Sequence, residues 1–258
     1  MRISLTTAIA GVLAVALLGA ASCGRSASPA MDADEVLRRM SQVLAGAPRM
    51  SFTARREADP DLPLSGNLPA RTTISVRLVR PSRLAVRVEG EGVARAMYAD
   101  GSSFTLQDQT KNLYSTIPLT ATLDNLDVQL QQLYGFVPPM FEFITNKPYE
   151  SIQARVTGST YLGQAADPSG TLCHRLAIAG EVADAELWVS VAGNLPQQLT
   201  ATFRAMPTHP QLRLSFSAWD LAPTWSDAEL AFTPPAGAVN IPMRTVAEMQ
   251  ALIAAEKR

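Results

Sequence analysis

The sequence predicts a mainly β (α+β) fold, a strongly curved antiparallel sheet of about eleven strands that forms a half-open barrel with helices plugging its concave face. Three observations predict it. Most of the chain alternates apolar and polar residues with a period of two, which is typical of strands with one buried face. Leucines at helical spacing interrupt this pattern once, after the sixth strand. So many consecutive strands must curl or close rather than stay flat.

The first segment has the features of a bacterial lipoprotein signal peptide. An apolar run over residues 3–18 is too short for a membrane-spanning helix. Small residues at 20–22 precede Cys23, and this arrangement resembles a lipobox. We therefore expect removal of residues 1–22, acylation of Cys23, and a short lipidated tether over residues 23–31.

The tether and the residue after Cys23 predict where the protein lies. Eight extended residues reach at most about 28 Å, so the folded domain should lie close to the bilayer. Gly24, not aspartate, follows the acylated residue. In enteric-type bacteria that similarity implies sorting to the outer membrane. The expected location is the periplasm, with the acyl groups anchored in the inner leaflet of the outer membrane.

Helices are predicted at four places in a single domain over residues 32–258. The opening helix, residues 32–45, begins with the capping pattern of Asp32 and Glu35. The insertion contains an amphipathic helix from Thr122 to Gly135 and a short apolar helix over residues 138–144, which Asn146 and Pro148 end. A capping box of Thr245 and Glu248 predicts a closing helix.

Strands fill the rest of the domain. Turn signals rich in Gly, Pro, Asp and Asn separate the alternating segments. The segments assigned before the insertion centre on residues 74–78, 84–88, 104–106 and 113–117, and those after it cover residues 152–162, 171–179, 185–191, 198–205 and 212–220.

Composition and motifs argue against several functional classes. The formal net charge is −1, so no overall field attracts nucleic acid. The sequence contains no phosphate loop, nucleophile elbow or paired metal-ligand motif, so we expect no cofactor and no metal. Cys173 and His174 are adjacent on a strand and point to opposite faces, which prevents them from sharing a metal ion. With Cys23 acylated, Cys173 has no intramolecular disulfide partner.

A set of ordered segments between residues 70 and 243 carries a resemblance to a known family. The segments are residues 98–106, 111–114, 130–135, 170–176, 187–189, 216–220 and 232–237. Together they resemble a family of predicted bacterial periplasmic proteins, domain of unknown function 2092 (DUF2092). In architecture that family resembles the lipoprotein carrier and receptor LolA and LolB, half-open barrels with an apolar cavity that accepts acyl chains. The lipobox and the closing helix depart from the family pattern.

These observations lead to a non-enzymatic protein that binds or transfers an apolar ligand at the envelope. The expected partners are the membrane, through the acyl groups, and an acyl chain, lipid or lipoprotein. The residues expected to line or close the cavity are Leu123, Leu126, Leu130, Met140, Phe141 and Phe143, with His174 on the apolar side of its strand.

Three other interpretations remain open at the level of sequence. The helices of the insertion could fill the sheet as a plug with no ligand. The sheet could serve as a non-catalytic module that senses or scaffolds another envelope protein. An enzyme using His174 is the third, although a buried histidine bonded to a tyrosine or a backbone carbonyl explains the same residue.

Overall fold

The structure is a computed structural model that describes residues 31–62, 68–138 and 140–256. The predicted signal peptide, Cys23 with its predicted acylation, and residues 24–30 of the tether lie outside the described residues. Within the described part, twelve strands form one sheet in the order β12-β6-β5-β4-β3-β2-β1-β11-β10-β9-β8-β7. The two ends of this order do not pair with each other, so the sheet is open. The predicted mainly β fold with a curved, unclosed sheet is confirmed.

The elements follow the predicted order of an opening helix, six strands, a helical insertion, five strands and a closing helix. The structure also contains a two-residue strand before the closing helix, which was not predicted. The strands are β1 (Arg49–Ala58), β2 (Arg71–Val79), β3 (Arg83–Gly90), β4 (Val93–Ala99), β5 (Ser103–Asp108), β6 (Leu113–Pro118), β7 (Val156–Ala166), β8 (Leu172–Gly180), β9 (Asp184–Ser190), β10 (Pro196–Thr202), β11 (Gln211–Asp220) and β12 (Val239–Asn240). The helices are α1 (Ala33–Gly46), α2 (Leu126–Tyr134), α3 (Phe141–Ile144), α4 (Pro148–Gln153) and α5 (Val246–Glu256), with a 3-10 turn at Asp227–Leu230.

Two antiparallel meanders meet in the middle of the sheet. The first runs from β1 to β6 and the second from β7 to β11, and β1 joins them by pairing with β2 on one side and β11 on the other. β12 is the exception, because it pairs with β6 in parallel. Of the two outer strands, β7 pairs with β8 alone and β12 with β6 alone.

Alternation along the strands produces one apolar face, and α1 covers part of it. In β2 the buried residues include Ile74, Val76 and Leu78, while the residues between them are more exposed. Leu37 and Met40 of α1 are fully buried in the same core. Deleting such a side chain typically costs about 2–5 kcal/mol, so this packing holds α1 on the sheet.

Three helix ends form as the sequence predicts. The Glu35 amide donates to the Asp32 carboxylate at 2.7 Å, which caps α1. Gly135 ends α2 in the left-handed conformation, at φ 71°. In front of α5, the Glu248 amide donates to the Thr245 hydroxyl at 3.2 Å, and the Thr245 amide donates back to the Glu248 carboxylate at 2.7 Å.

The boundaries of the insertion were predicted wrongly at two points. α2 begins at Leu126, four residues after the predicted cap Thr122, because the chain first makes a turn in which the Asn125 side chain accepts from the Thr122 amide. Pro148 starts a helix instead of ending one, since proline at the first helical position loses no hydrogen bond. Ile152 therefore lies in α4, and the strand predicted over residues 152–162 begins at Val156.

After β11 the chain crosses the outer face of the sheet, opposite the helices. Glu229 forms an ion pair with Arg77 of β2, and the Phe232 ring lies 5.5 Å from the Tyr98 ring and 5.1 Å from the Tyr114 ring. The chain then forms β12 against β6. This segment covers one edge of the sheet, whereas β7 has no strand on its outer side.

The closing helix α5 packs on α2. Its apolar side chains Val246, Met249, Leu252 and Ile253 are all partly exposed. In the described residues, no helix combines the length and the apolar character that crossing a membrane requires.

Candidate functional site

The predicted cavity residues of the insertion come together in one layer between the sheet and the helices. All six are buried, with exposures between 0 and 7%: Leu123, Leu126, Leu130, Met140, Phe141 and Phe143. They belong to the same apolar core as the inner faces of the strands and α1. The layer is therefore closed by packed side chains in this conformation, and any ligand has to displace the helices that cover it.

Aromatic rings attach α3 to the centre of the sheet. The ring of Phe143 meets that of Phe216 edge-on at 5.2 Å. Behind it, Phe52 stacks on Trp219 at 4.4 Å and lies 6.0 Å from Phe216. Such pairs add about 0.5–1.5 kcal/mol each beyond the area they bury. The ring of Phe143 thus packs the four-residue helix α3 against an aromatic cluster of β1 and β11.

Arg80, directly after β2, is a cation at the rim of the helical cover. Its guanidinium donates to the carbonyls of Leu44 at 2.9 Å, Ile144 at 3.0 Å and Thr145 at 2.8 Å, and to the Asn146 side chain at 2.8 Å. Burial lowers the pKa of Arg80, and the nearby Asp124 carboxylate acts in the opposite direction. One cation therefore joins the carboxyl ends of α1 and α3 to the sheet.

A second polar group ties α4 to α1. The Tyr149 hydroxyl donates to the Asp34 carboxylate, and Arg38 donates to the Tyr149 oxygen at 2.8 Å. The Tyr149 amide donates to the Ser41 hydroxyl at 2.9 Å. The hydrogen bond from Tyr149, followed by that from Arg38, lowers the pKa of Asp34. These bonds lie at the rim of the cover, where water can replace them.

Two further links hold the insertion together. Arg155, after α4, forms ion pairs with Glu142 of α3 and, at 3.6 Å, with Asp127 of α2. Asp124, before α2, accepts from the Thr145 hydroxyl at 3.0 Å. The cover formed by α2, α3 and α4 thus has an apolar inner side and a polar rim.

His174 lies on the inner face of β8, away from the insertion. It is 3% exposed, and its Nδ1 is 2.9 Å from the Tyr161 hydroxyl, which is the tyrosine bond expected for a buried histidine. Burial, and then the Arg39 charge, lowers the pKa of His174, so the ring is neutral at pH 7. Among the described interactions of His174, none reaches α2 or α3.

Cys173 is buried next to His174. Its Sγ is 3.3 Å from the Thr171 carbonyl. Burial, and then the charge of Asp167, raises the pKa of Cys173 to about 11. The thiol is therefore protonated and unreactive in the folded protein.

Two surface clefts of about 390 and 330 Å³ lie away from the predicted residues. The larger follows the covered edge, next to β6 and β12, and the smaller lies where the chain after β11 crosses the outer face. The residues lining the larger are Ser115, Thr116, Ile117, Asn240, Ile241, Pro242 and Met243. None of the six predicted residues of the insertion lines either cleft.

Comparison with models of protein families identifies the family of this chain. The family model described as "Predicted periplasmic protein (DUF2092)" matches residues 33–244. The chain belongs to the DUF2092 family. The match covers all described elements except α5. It confirms the resemblance seen in the sequence, and the family description makes this a predicted periplasmic protein without assigning a catalytic activity.

Several solved structures are similar to this chain at low sequence identity. An uncharacterised conserved protein from Thermus thermophilus is 13% identical with a TM-score of 0.49, over 81% of this chain and 98% of that one. A LolA superfamily protein from Nitrosomonas europaea is 10% identical with a TM-score of 0.35, over 79% and 99%. MucB of Pseudomonas aeruginosa, in complex with MucA, is 12% identical with a TM-score of 0.43, over 78% of this chain and 60% of that one. The comparison with curated proteins gave no match.

Proposed function

We propose that this DUF2092 protein is a lipid-anchored periplasmic protein that binds an apolar ligand and holds or transfers it at the envelope without catalysis. The ligand is an acyl chain, either of a lipid or of a lipoprotein. One observation supports the proposal above others, namely that α1 covers only part of the apolar inner face, while short helices with a polar rim cover another part. α3 has four residues and α4 has six, and helices this short are unstable by themselves.

Ligand entry would require the cover to move. Opening the rim bonds of Arg80 and Tyr149 exposes the inner sides of α2 and α3 together with the sheet below. The acyl chain then takes the place of the packed side chains. The lining would consist of Leu123, Leu126, Leu130, Met140, Phe141 and Phe143, with His174 at the β8 side.

The binding test uses protein made without the acyl anchor, so that no detergent is needed. A chain starting at residue 24 is secreted behind a cleavable signal peptide, released by osmotic shock, and weighed by native mass spectrometry. We expect copies that carry fatty acid or lipid masses, and saturable uptake of an environment-sensitive fluorescent fatty acid. Protein that is entirely ligand-free and takes up no probe contradicts the proposal.

A single hydroxyl tests whether the rim controls entry. Tyr149→Phe removes the bonds to Asp34 and Arg38 and should speed probe uptake, because the link between α4 and α1 is then weaker. Tyr114→Phe is the matched control, since its ring packs on Phe232 at the outer face. Equal uptake rates in both variants would argue against an opening cover.

The anchor has its own test, independent of ligand binding. Cells expressing the full-length chain are labelled with radioactive palmitate, and the label should appear on the protein and disappear in Cys23→Ala. Fractionation should then find the labelled protein in the outer membrane. Palmitate-free protein would remove the anchor from the proposal and leave the binding site standing.

The free edge of β7 favours a second function, a non-catalytic module that senses or scaffolds another envelope protein. This strand is eleven residues long, and among the described strands it pairs only with β8. It contains no charged residue and no proline, two of the usual protections of an exposed edge, although its pairing with β8 shifts register twice. An extended segment of a partner could add to it as a further strand.

Crosslinking in cells separates the two functions. A photoreactive residue at Leu162, which is exposed on β7, is compared with one at Arg87 on the outer face of β3. A stoichiometric protein adduct at Leu162 alone, in a protein that carries no lipid, supports the interaction module. Lipid in the interior and no specific adduct supports the carrier.

A further inference from the structure

One row of side chains on the inner face places a cation beside a hydroxyl. Across β11, β1, β2 and β3, register pairs place two rows next to each other on the helix-covered side. The first row is apolar throughout and consists of Phe216, Ala54, Ile74 and Val88. The next row consists of Leu214, Arg56, Thr72 and Gly90. A cation and a hydroxyl thus lie side by side at one end of the apolar layer.

Arg56 is a buried cation with few partners. Only 6% of the residue is exposed. Its one hydrogen bond in the described structure is from Nη1 to the Pro69 carbonyl, at 3.2 Å, although a guanidinium has five N–H donors. Burial lowers the pKa of Arg56, with no opposing charge among the causes, and arginine nevertheless stays protonated. Buried arginines are ordinarily paired.

Thr72, the register partner of Arg56, lacks a hydrogen-bond partner for its side chain in the described structure. Thr72 is 3% exposed, and its hydroxyl oxygen is buried without any hydrogen-bond partner. As antiparallel register partners, Arg56 and Thr72 have β-carbons about 5 Å apart on the same face. An unsatisfied buried hydroxyl destabilises the folded state. Two buried groups that are short of hydrogen-bond partners are therefore neighbours on the inner face.

The nearest carboxylates in the chain already have partners on the opposite face. Glu57 pairs with Arg71 at 3.6 Å, and Asp59 pairs with Arg213 at 3.0 Å. No described carboxylate forms an ion pair with Arg56. The charge of Arg56 is thus left for an anion that is not part of the described chain.

We propose that Arg56 and Thr72 form the head-group site for an anionic acyl ligand, in which the guanidinium binds a carboxylate or phosphate oxygen and the Thr72 hydroxyl donates a second hydrogen bond. This inference rests on the proposed binding of an acyl ligand. It names the ligand class more narrowly, as a single-chain fatty acid or a lipid with an exposed phosphate.

The neighbouring row supplies the start of a path for the hydrocarbon chain. Side chains two residues apart on a strand are about 7 Å apart, so Ala54 and Phe216 lie one row from Arg56. Phe216 in turn contacts Phe143 of the cover. A head group at Arg56 would place its first methylene groups beside Phe216, and the rest of the chain under α3 and α2.

The test compares ligands that differ only in the head group. The acyl-free chain from residue 24 is titrated at pH 8 with one fluorescent sixteen-carbon chain as its carboxylic acid, its monoalkyl phosphate or its alcohol. We expect at least one of the two anions to bind tenfold or more tightly than the alcohol. Tighter binding of the acid indicates a fatty acid ligand, and tighter binding of the phosphate indicates a phospholipid.

Variants at the site should remove this preference selectively. Arg56→Met should bring anion affinity down to that of the alcohol while alcohol affinity changes less than twofold. Arg56→Lys should keep part of the preference, and Thr72→Val should reduce it about threefold. Arg87→Met is the matched control, because this exposed arginine lies on the outer face of β3, and it should bind like wild type.

Stability of the empty protein gives a second readout. Removing an unpaired buried charge should raise the urea midpoint of ligand-free Arg56→Met, whereas added fatty acid should no longer raise it. A purely structural arginine would give the opposite result, a lower midpoint with ligand stabilisation intact.

Failure of the inference and failure of the proposed function are distinguishable. If wild type binds acid, phosphate and alcohol equally, or if Arg56→Met keeps the anion preference, the head-group site is refuted while ligand binding stands. If none of the three probes binds, both are refuted.

Discussion

Replacing Arg80 by methionine should destabilise the protein by about 3–4 kcal/mol. The substitution keeps a side chain of similar length and removes every donor. Four backbone carbonyls, including that of Ala47 at 3.2 Å, and the Asn146 side chain lose their hydrogen bonds. Two of those carbonyls, from Leu44 and Ile144, belong to the last turns of α1 and α3, where no helical amide is available to them.

The magnitude follows from how much of this group water can replace. A buried acceptor without a donor costs about 1–3 kcal/mol, and bonds to a charged donor are worth more than neutral ones. Arg80 itself is only partly exposed, so water reaches some of the five acceptors and the costs do not add in full. Arg80→Lys retains the charge but lacks the planar fork that spans several carbonyls, and it should cost about half as much.

Urea unfolding and hydrogen exchange together test this reasoning. For a domain of this size, the expected loss lowers Tm by about 6–16 °C. Amides of α3 and α4 should exchange faster in Arg80→Met, through local opening, before the strands do. Arg87→Met should stay within about 0.5 kcal/mol of wild type. A loss below about 1 kcal/mol in Arg80→Met, or unchanged exchange in α3 and α4, would show that the cover does not depend on this cation.

Two further predictions concern ionisable groups outside the cover. Burial acts to raise the pKa of Asp100, but hydrogen bonds from Ser102 and Ser103 outweigh it and hold that pKa at about 2; since the folded pKa lies below the usual 3.8, its stabilisation is present above that value and is lost as the pH falls towards 2. Wild type should be more stable than Asp100→Asn by about 1 kcal/mol at pH 7 after allowance for solvent screening. The gap in urea midpoints should fall to about a third of that by pH 2.5; a pH-independent gap contradicts the prediction. In Cys23→Ser, where Cys173 is the only thiol, reaction with a disulfide reagent at pH 8 should be slow until urea unfolds the chain, and rapid native reaction would disprove the burial of Cys173.

The sequence was informative wherever periodicity is set by burial, and uninformative where backbone carbonyls are the partners. The inner face of β2 and the leucines of α2 were predictable, because a covered face repeats every two or every three to four residues. Arg80 was not, since nothing in the sequence separates it from the other arginines of the early strands. Its role depends on carbonyls from two segments about 36 and 65 residues away, and carbonyls have no sequence signature.

Tyr149 escaped prediction for a related reason. Its partners Asp34 and Arg38 are more than a hundred residues earlier in the chain. Pro148, taken as a helix end, concealed the short helix that presents it. The pair of Asp34 and Arg38 at helical spacing was visible in the sequence, but such surface pairs are common and weak.

Arg80 and Arg56 differ in how many hydrogen-bond partners they have, and this difference suggests different roles. Arg80 has five acceptors, four of them carbonyls at the ends of packed segments, and its place is the rim that holds the cover. Arg56 is more deeply buried and has one, at the longer distance of 3.2 Å. An unsatisfied cation in a protein interior lowers the stability of the fold. If Arg56 bound nothing, the protein would be more stable with an apolar side chain at this position. The closed fold therefore accounts for Arg80, and the proposed anionic ligand accounts for Arg56.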